Sequence, residues 1–230
     1  MDWNELFGSD DEEYNDDDAQ KKIFTATAIN SNDIETFDDI PGLILWHNAL
    51  THEQQINLLY SLLDNFGTET NQYLQFGKLD PFLQKVADKI QHYSFFPSHI
   101  RQRQPLFNQA SINYYEQGEG IISHVDLLQY EDGIAILSLL SSVCMTMKPA
   151  TKESMEQGYA TIDGVSKEES SHQQRDILLR PGDILLLHSA ARYEFEHGII
   201  ERMFDVINDE TIVRGKRVSV SLRYKKVDGP

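Results

Sequence analysis

At about residue 111 the periodicity of this chain changes, and that change limits the folds open to it. Before it, apolar residues recur at helical spacing. The stretch "THEQQINLLYSLLDNFG" puts Leu58, Leu59, Leu62, Leu63 and Phe66 on one stripe, with Thr51 and Gln54 in capping-box positions and Gly67 as a stop. "DPFLQKVADKIQHYS" follows the same period, with Asp80 as cap and Pro81 at the first helical position. After it come short runs that read as strands at 111–115, 121–126, 134–140, 143–148, 176–179, 183–188, 193–197 and 217–224. Turn signals such as Gln117-Gly118-Glu119-Gly120 and Pro181-Gly182-Asp183 separate many of them. Helices followed by many short strands predict an α+β protein whose helices cover one sheet of a β-sandwich or jelly roll.

Charge divides the chain in another way. The formal net charge is −17, and residues 1–20 carry nine acidic groups and no basic ones. The remainder holds 28 acidic against 20 basic groups, a net of −8. The expected layout is an acidic disordered tail over 1–22 and one domain over 23–230, with a polar, aperiodic insertion at 149–175. Trp3, Leu6 and Phe7 give the tail an apolar handle for a basic partner; the alternative is a purely solubilising tail. The acidic body opposes any mode of binding that grips nucleic acid through many phosphates. No apolar run approaches the ~18 residues of a membrane span, and the N-terminus lacks the basic and apolar regions of a signal peptide. A single cysteine, Cys144, excludes an intramolecular disulfide framework and suits a reducing compartment. An intracellular monomer of nucleus or cytoplasm, with no membrane partner, is expected.

The segment "ISHVDLLQYEDGIAILSL" is rich enough in Ile, Val and Leu to be buried, yet it opens with His124 and Asp126. Two residues apart on a strand, they project to one face. Such a pair is either a hydrogen-bonded pair at a strand end or two ligands of a metal. A β scaffold with two histidines and one carboxylate is the facial triad of non-haem Fe(II) oxygenases. A third ligand would be His172 in the polar insertion, His188 at the end of "DILLLHS", or His197 in "RYEFEHGII". The last strand narrows the chemistry. "RVSVSLR" sets Arg217, Ser219, Ser221 and Arg223 on one face and Val218, Val220 and Leu222 on the other. That polar face is either solvated at a sheet edge or a trough with a cation at each end, suited to a short dicarboxylate such as 2-oxoglutarate.

Residues 40–227 resemble the AlkB-like family of Fe(II)- and 2-oxoglutarate-dependent dioxygenases. The family order N-x-Y, H-x-D, a distal H and R-x5-R is met by Asn113-Tyr114-Tyr115, His124-Val125-Asp126, His197 and Arg217 to Arg223. "NYYEQGEGI" and "ARYEFEHGI" also resemble the branch that includes the dioxygenase domain of tRNA wobble-uridine hydroxylases. The resemblance implies a double-stranded β-helix (jelly-roll, cupin-like) core with the N-terminal helices packed on one sheet. It implies His124, Asp126 and His197 as catalytic iron ligands, and makes His188 a strand-end residue. It also implies Arg217 on the distal carboxylate of 2-oxoglutarate, with Arg223, Asn113 and Tyr115 near its metal-side end. The cofactor set it implies is Fe(II), 2-oxoglutarate as co-substrate, and O2, in a dioxygenase that hydroxylates a C–H bond or, where that carbon is an N-methyl, acts as a demethylase.

Base-modifying members of the family extrude the base and stack it on aromatics. Tyr73 and Phe76, with Phe95 and Phe96, are the candidates for stacking here, and Arg101 and Arg103 of "HIRQR", near Lys78 and His99, for backbone contact. The expected partner is an alkylated or otherwise modified nucleic acid, DNA or tRNA. The alternatives are a basic protein such as a histone or ribosomal protein, drawn by the acidic surface, and a non-catalytic β-sandwich binding module.

Overall fold

The computed structural model describes residues 30–66, 70–152, 154 and 174–226. The tail expected over 1–22, the stop at Gly67, His172 and most of the 149–175 insertion lie outside them.

The first helix, α1 (His52–Phe66), begins where its sequence signal says. The Thr51 amide donates to Gln54 Oε1 at 2.9 Å and the Gln54 amide returns a bond to Thr51 Oγ1 at 3.2 Å. The second, α2 (Pro81–His92), starts with the Asp80 carboxylate accepting from the Phe82 and Leu83 amides. Both lay their apolar stripes on one face of a large sheet. That sheet contains β1 (Ile34–Thr36), β2 (Leu43–Trp46), β3 (Gln72–Phe76), β4 (Gln109–Tyr115), β6 (Ile134–Leu139), β9 (Ile184–Leu187) and β13 (Arg217–Arg223). Its order is β1-β2-β9-β6-β13-β4-β3, antiparallel throughout.

A smaller antiparallel sheet, in the order β5-β10-β7-β8, lies over the other face. It is built from β5 (Ile121–His124), β7 (Val143–Pro149), β8 (Arg175–Leu179) and β10 (Phe195–Ile199). Two cores result. Leu58, Leu62, Leu83 and Ile90 pack with Ile112, Val218, Val220 and Leu222 between helices and large sheet. Ile134, Ile136, Leu185 and Leu187 meet Met145, Met147, Ile177 and Phe195 between the sheets. The expected jelly roll with helices on one sheet is the observed fold.

Several boundaries moved. The strand expected over 121–126 ends at His124, and that expected over 193–197 begins at Phe195, because α4 (Ala190–Tyr193) is a helical turn. The sequence reading also passed over β1, β2, β3, a short α3 (Ser98–Arg101) and a hairpin of β11 (Phe204–Ile207) with β12 (Glu210–Val213). In the hairpin the usual pattern is inverted: Phe204 and Val206 are exposed while Asp205 is buried. The Asp205 carboxylate accepts from Arg214 and from the Cys144 amide, which ties the hairpin to β7. Among the described residues no helix is long and apolar enough to cross a membrane.

Candidate metal centre

Pairing of β5 with β10 builds the histidine pair. His124 and His197 are direct partners across that ladder, and partnered side chains share a face. Their ring centroids are 4.5 Å apart. The strands approach this closely because Gly198 follows His197; a Cβ there would stand 2.7 Å from the Ser123 Cα. His124 Nδ1 lies 2.8 Å from the Ile122 carbonyl, which can only accept. Nδ1 therefore carries a proton, which makes Nε2 the nitrogen that can face a metal.

Asp126 arrives by another route. Strand β5 has already ended, so the pleat alignment expected for an i,i+2 pair is not what brings the carboxylate in. Arg192 of α4, buried to 2% exposure, holds the loop instead. Its guanidinium donates to the carbonyls of Asp126, Leu127 and Tyr130 at 3.1, 2.9 and 2.9 Å. Arg223, at the end of β13, brings Nη2 to 2.6 Å from Asp126 Oδ1. Oδ2 faces His197 Nε2 at 3.5 Å and accepts no hydrogen bond among the described residues. Ligand atoms of His124, Asp126 and His197 all lie within 4.8 Å of one another. His188 is not among them: it follows the last residue of β9, with Nδ1 3.0 Å from Ser189 Oγ and its ring edge-on to Phe96.

Local electrostatics favour the forms that bind metal. Burial alone would raise the Asp126 carboxyl, but nearby positive charge, Arg223 above all with Arg192 adding to it, outweighs this and holds the group well below the usual carboxylate range. Burial, with His124 adding to it against the pull of Asp126, takes the His197 imidazole down to about 3, so it is neutral and unprotonated at neutral pH. Two imidazoles and one carboxylate form a set with open positions, which suits Fe(II).

The same cavity is lined by Asn113, Tyr115, Arg217, Ser219, Ser221 and Arg223. Val218, Val220 and Leu222 turn to the helix side, so the serine face between the two arginines opens on the triad. Arg217 is 3% exposed, stacks at 5.3 Å on the Tyr115 ring and donates Nε to Ser138 Oγ at 3.1 Å. Its Nη2 has no partner among the described residues. A desolvated guanidinium edge of this kind can pair with an anion such as a carboxylate. Asn113 accepts from Gln72 at 2.7 Å, which aims its NH2 elsewhere. Arg223, expected at the metal-side end of the co-substrate, has Nη2 committed to Asp126; its Nε remains unpartnered among the described residues.

The expected substrate residues fare unequally. Tyr73 is corrected: it turns to the helix side, with ring centroids 6.0 Å from Phe66 and 6.4 Å from Tyr114, and does not face the cavity. Phe95 and Phe96 are packed in or against the same core. Phe76 sits on the cavity side of β3 and is 53% exposed. Arg103 is engaged internally, with Nη2 on the Asp132 carbonyl and Nε 3.5 Å from Glu131; Arg101 donates to Ser94 Oγ at 2.7 Å. Arg192 was missed. Its signal stood in "ARYEFEHGI", where only the histidine was read.

Fold and site together define an iron-dependent oxygenase of jelly-roll type. The family model described as the 2OG-Fe(II) oxygenase superfamily matches residues 78–223, and the chain belongs to that family. It is 28% identical over 207 residues to "Alkylated DNA repair protein ALKBH8 homolog" of Arabidopsis thaliana, a match covering 80% of this chain and 58% of that protein. It is 29% identical over 109 residues to "tRNA (carboxymethyluridine(34)-5-O)-methyltransferase ALKBH8" of Mus musculus, covering 47% of this chain and 13% of that one. The chain thus spans little more than half of the plant relative and a small part of the mouse one. The solved structure of OsALKBH1 shares the fold, with a TM-score of 0.56 at 13% identity, covering 83% of this chain and 99% of that one. Membership in that family implies Fe(II), 2-oxoglutarate and O2 as the cofactor set, and the similarity to ALKBH proteins lies within it.

Arg192→Met should weaken divalent-metal binding about tenfold or more, the scale on which groups that orient ligands act, while leaving the fold intact. Cobalt(II) titration of the metal-free protein, with circular dichroism alongside, measures this; unchanged affinity would remove Arg192 from the site.

Proposed function

We propose that His124, Asp126 and His197 hold the iron, that Arg217 takes the distal carboxylate of 2-oxoglutarate, and that Arg223, Asn113 and Tyr115 line its metal-side end. The observation that carries this reading is one cavity lined by both histidines of the three-ligand cluster and by a buried arginine with an unpartnered guanidinium nitrogen. When bound, iron with 2-oxoglutarate and O2 supplies the oxidant for C–H hydroxylation. The chain's own part is positional. The two imidazoles present lone pairs, Arg223 and Arg192 keep Asp126 ionised and aimed, and Arg217 orients the co-substrate in a site that the two sheets shield from water.

The substrate, in this reading, is a base of DNA or tRNA, hydroxylated or oxidatively demethylated. The names of the plant and mouse relatives support it. Methyl transfer, named for the mouse protein, is not carried over, since the match spans 13% of that protein. A second reading rests on charge: a net of −17 favours a basic protein such as a histone.

His124→Ala and Asp126→Ala should each abolish Fe(II)-dependent conversion of 2-oxoglutarate to succinate without unfolding the chain; normal succinate production in either refutes the ligand assignment. Arg217→Ala should raise the 2-oxoglutarate requirement about ten- to a hundredfold, as loss of a charge-assisted contact of roughly 1.5–3 kcal/mol predicts. Lys at this position restores only part of it, lacking the planar fork. Removing residues 1–20 discriminates the two substrate readings, because it takes the formal charge from −17 to −8. Binding should strengthen at low salt if the partner is nucleic acid and weaken if it is a basic protein.

A further inference from the structure

Gln109 opens β4 and is completely buried, yet neither the nitrogen nor the oxygen of its carboxamide has a hydrogen-bond partner among the described residues. A fold gains nothing by burying an amide with both ends unmet, and such groups are rare in folded proteins. Its position is informative. Ala110, Ile112 and Tyr114 belong to the helix-side core, so Gln109 alternates with them to the face shared with Asn113 and Tyr115, which line the metal cavity. In the ladder its direct partner on one side is Arg223, whose Nε is also unpartnered among the described residues. On the other side it is Phe76 of the edge strand.

We infer that Gln109 is a specificity residue that reads the edge of the substrate base; this rests on the nucleic-acid reading above. The donor and acceptor inventory decides the ligand class. The carboxamide offers N–H donors and one acceptor, and Arg223 adds a donor. A ligand that satisfies all of them presents a donor and an acceptor side by side, as the amide, imide or amidine edge of a nucleobase does. A carboxylate or phosphate fails, because its oxygens would face Gln109 Oε1 with no proton between them. A basic side chain fails too, since it would have to sit beside Arg223, with Lys225 held 5.4 Å from the Phe76 ring. Gln109 is covered in this conformation, so the base must displace a rim residue. Leu74 and Phe76, 52% and 53% exposed on the same face of β3, are the side chains with room to move. Phe76 then lies against the base while Gln109 meets its edge.

The test compares two probes: a short single-stranded oligoribonucleotide of mixed sequence and the fully abasic strand of the same length. Wild type should bind the base-bearing strand more tightly. Gln109→Leu should reduce that preference about tenfold, leave abasic affinity as it was, and give a melting temperature equal to or above wild type, because an unmet amide has been replaced by an apolar group. Gln109→Met serves if the branched side chain does not fold. A variant that keeps the full base preference overturns the inference alone, leaving the nucleic-acid reading standing. A lowered melting temperature with both strands lost equally also overturns it, making Gln109 a support of the fold. If wild type itself shows no preference for bases, the nucleic-acid reading falls and this inference falls with it.

Discussion

A carboxylate taken out of water costs several kcal/mol unless an opposite charge answers it. Asp126 is answered at 2.6 Å by Arg223, which reaches it from the C-terminal end of β13 in the large sheet. Most of the site's arrangement depends on that pair. It keeps Asp126 ionised although 4% exposed, sets one oxygen against Arg223 and leaves the other toward His197. It also removes one donor of Arg223 from any role with the co-substrate. The two sheets are thus joined at the site by an ion pair rather than by apolar packing alone.

The sheets divide the work. The central strands of the large one are buried on both faces, with helices behind and the small sheet in front, and β13 pairs in register with both of its neighbours. It supplies the flat polar face of β4 and β13. The small sheet supplies both histidines from neighbouring strands, brought close by Gly198. A rigid backing and a close ladder suit a centre whose reactive atoms must be held within fractions of an ångström.

Period-2 alternation made "RVSVSLR" legible, because serine and arginine on one face of an otherwise apolar strand have few structural reasons to be there. The histidines and Asp126 were legible as residue types in order, but not the means of bringing them together. Asp126 leaves its strand, and the arginine that holds its loop is 66 residues away in sequence. The β11–β12 hairpin was hidden because its buried residue is a charged one, paired to Arg214. β2, "LILW", is an apolar run with no period to read. Tyr73 and Phe76 were both taken as stacking candidates, yet they stand an odd number of positions apart on β3. A pleated strand must turn them to opposite faces, and only one can see the cavity.

The turn that carries Arg192 runs directly into the strand that carries His197. One short segment therefore contributes a ligand of its own and clamps the loop that bears another. Opening of that segment by a local fluctuation would release His197 and loosen Asp126 together, so the centre has no stable half-assembled state along this route. Metal occupancy and local order become a single equilibrium: a bound ion is a tether on both stretches of backbone, and a chain that has lost it is loosened at two distant places at once.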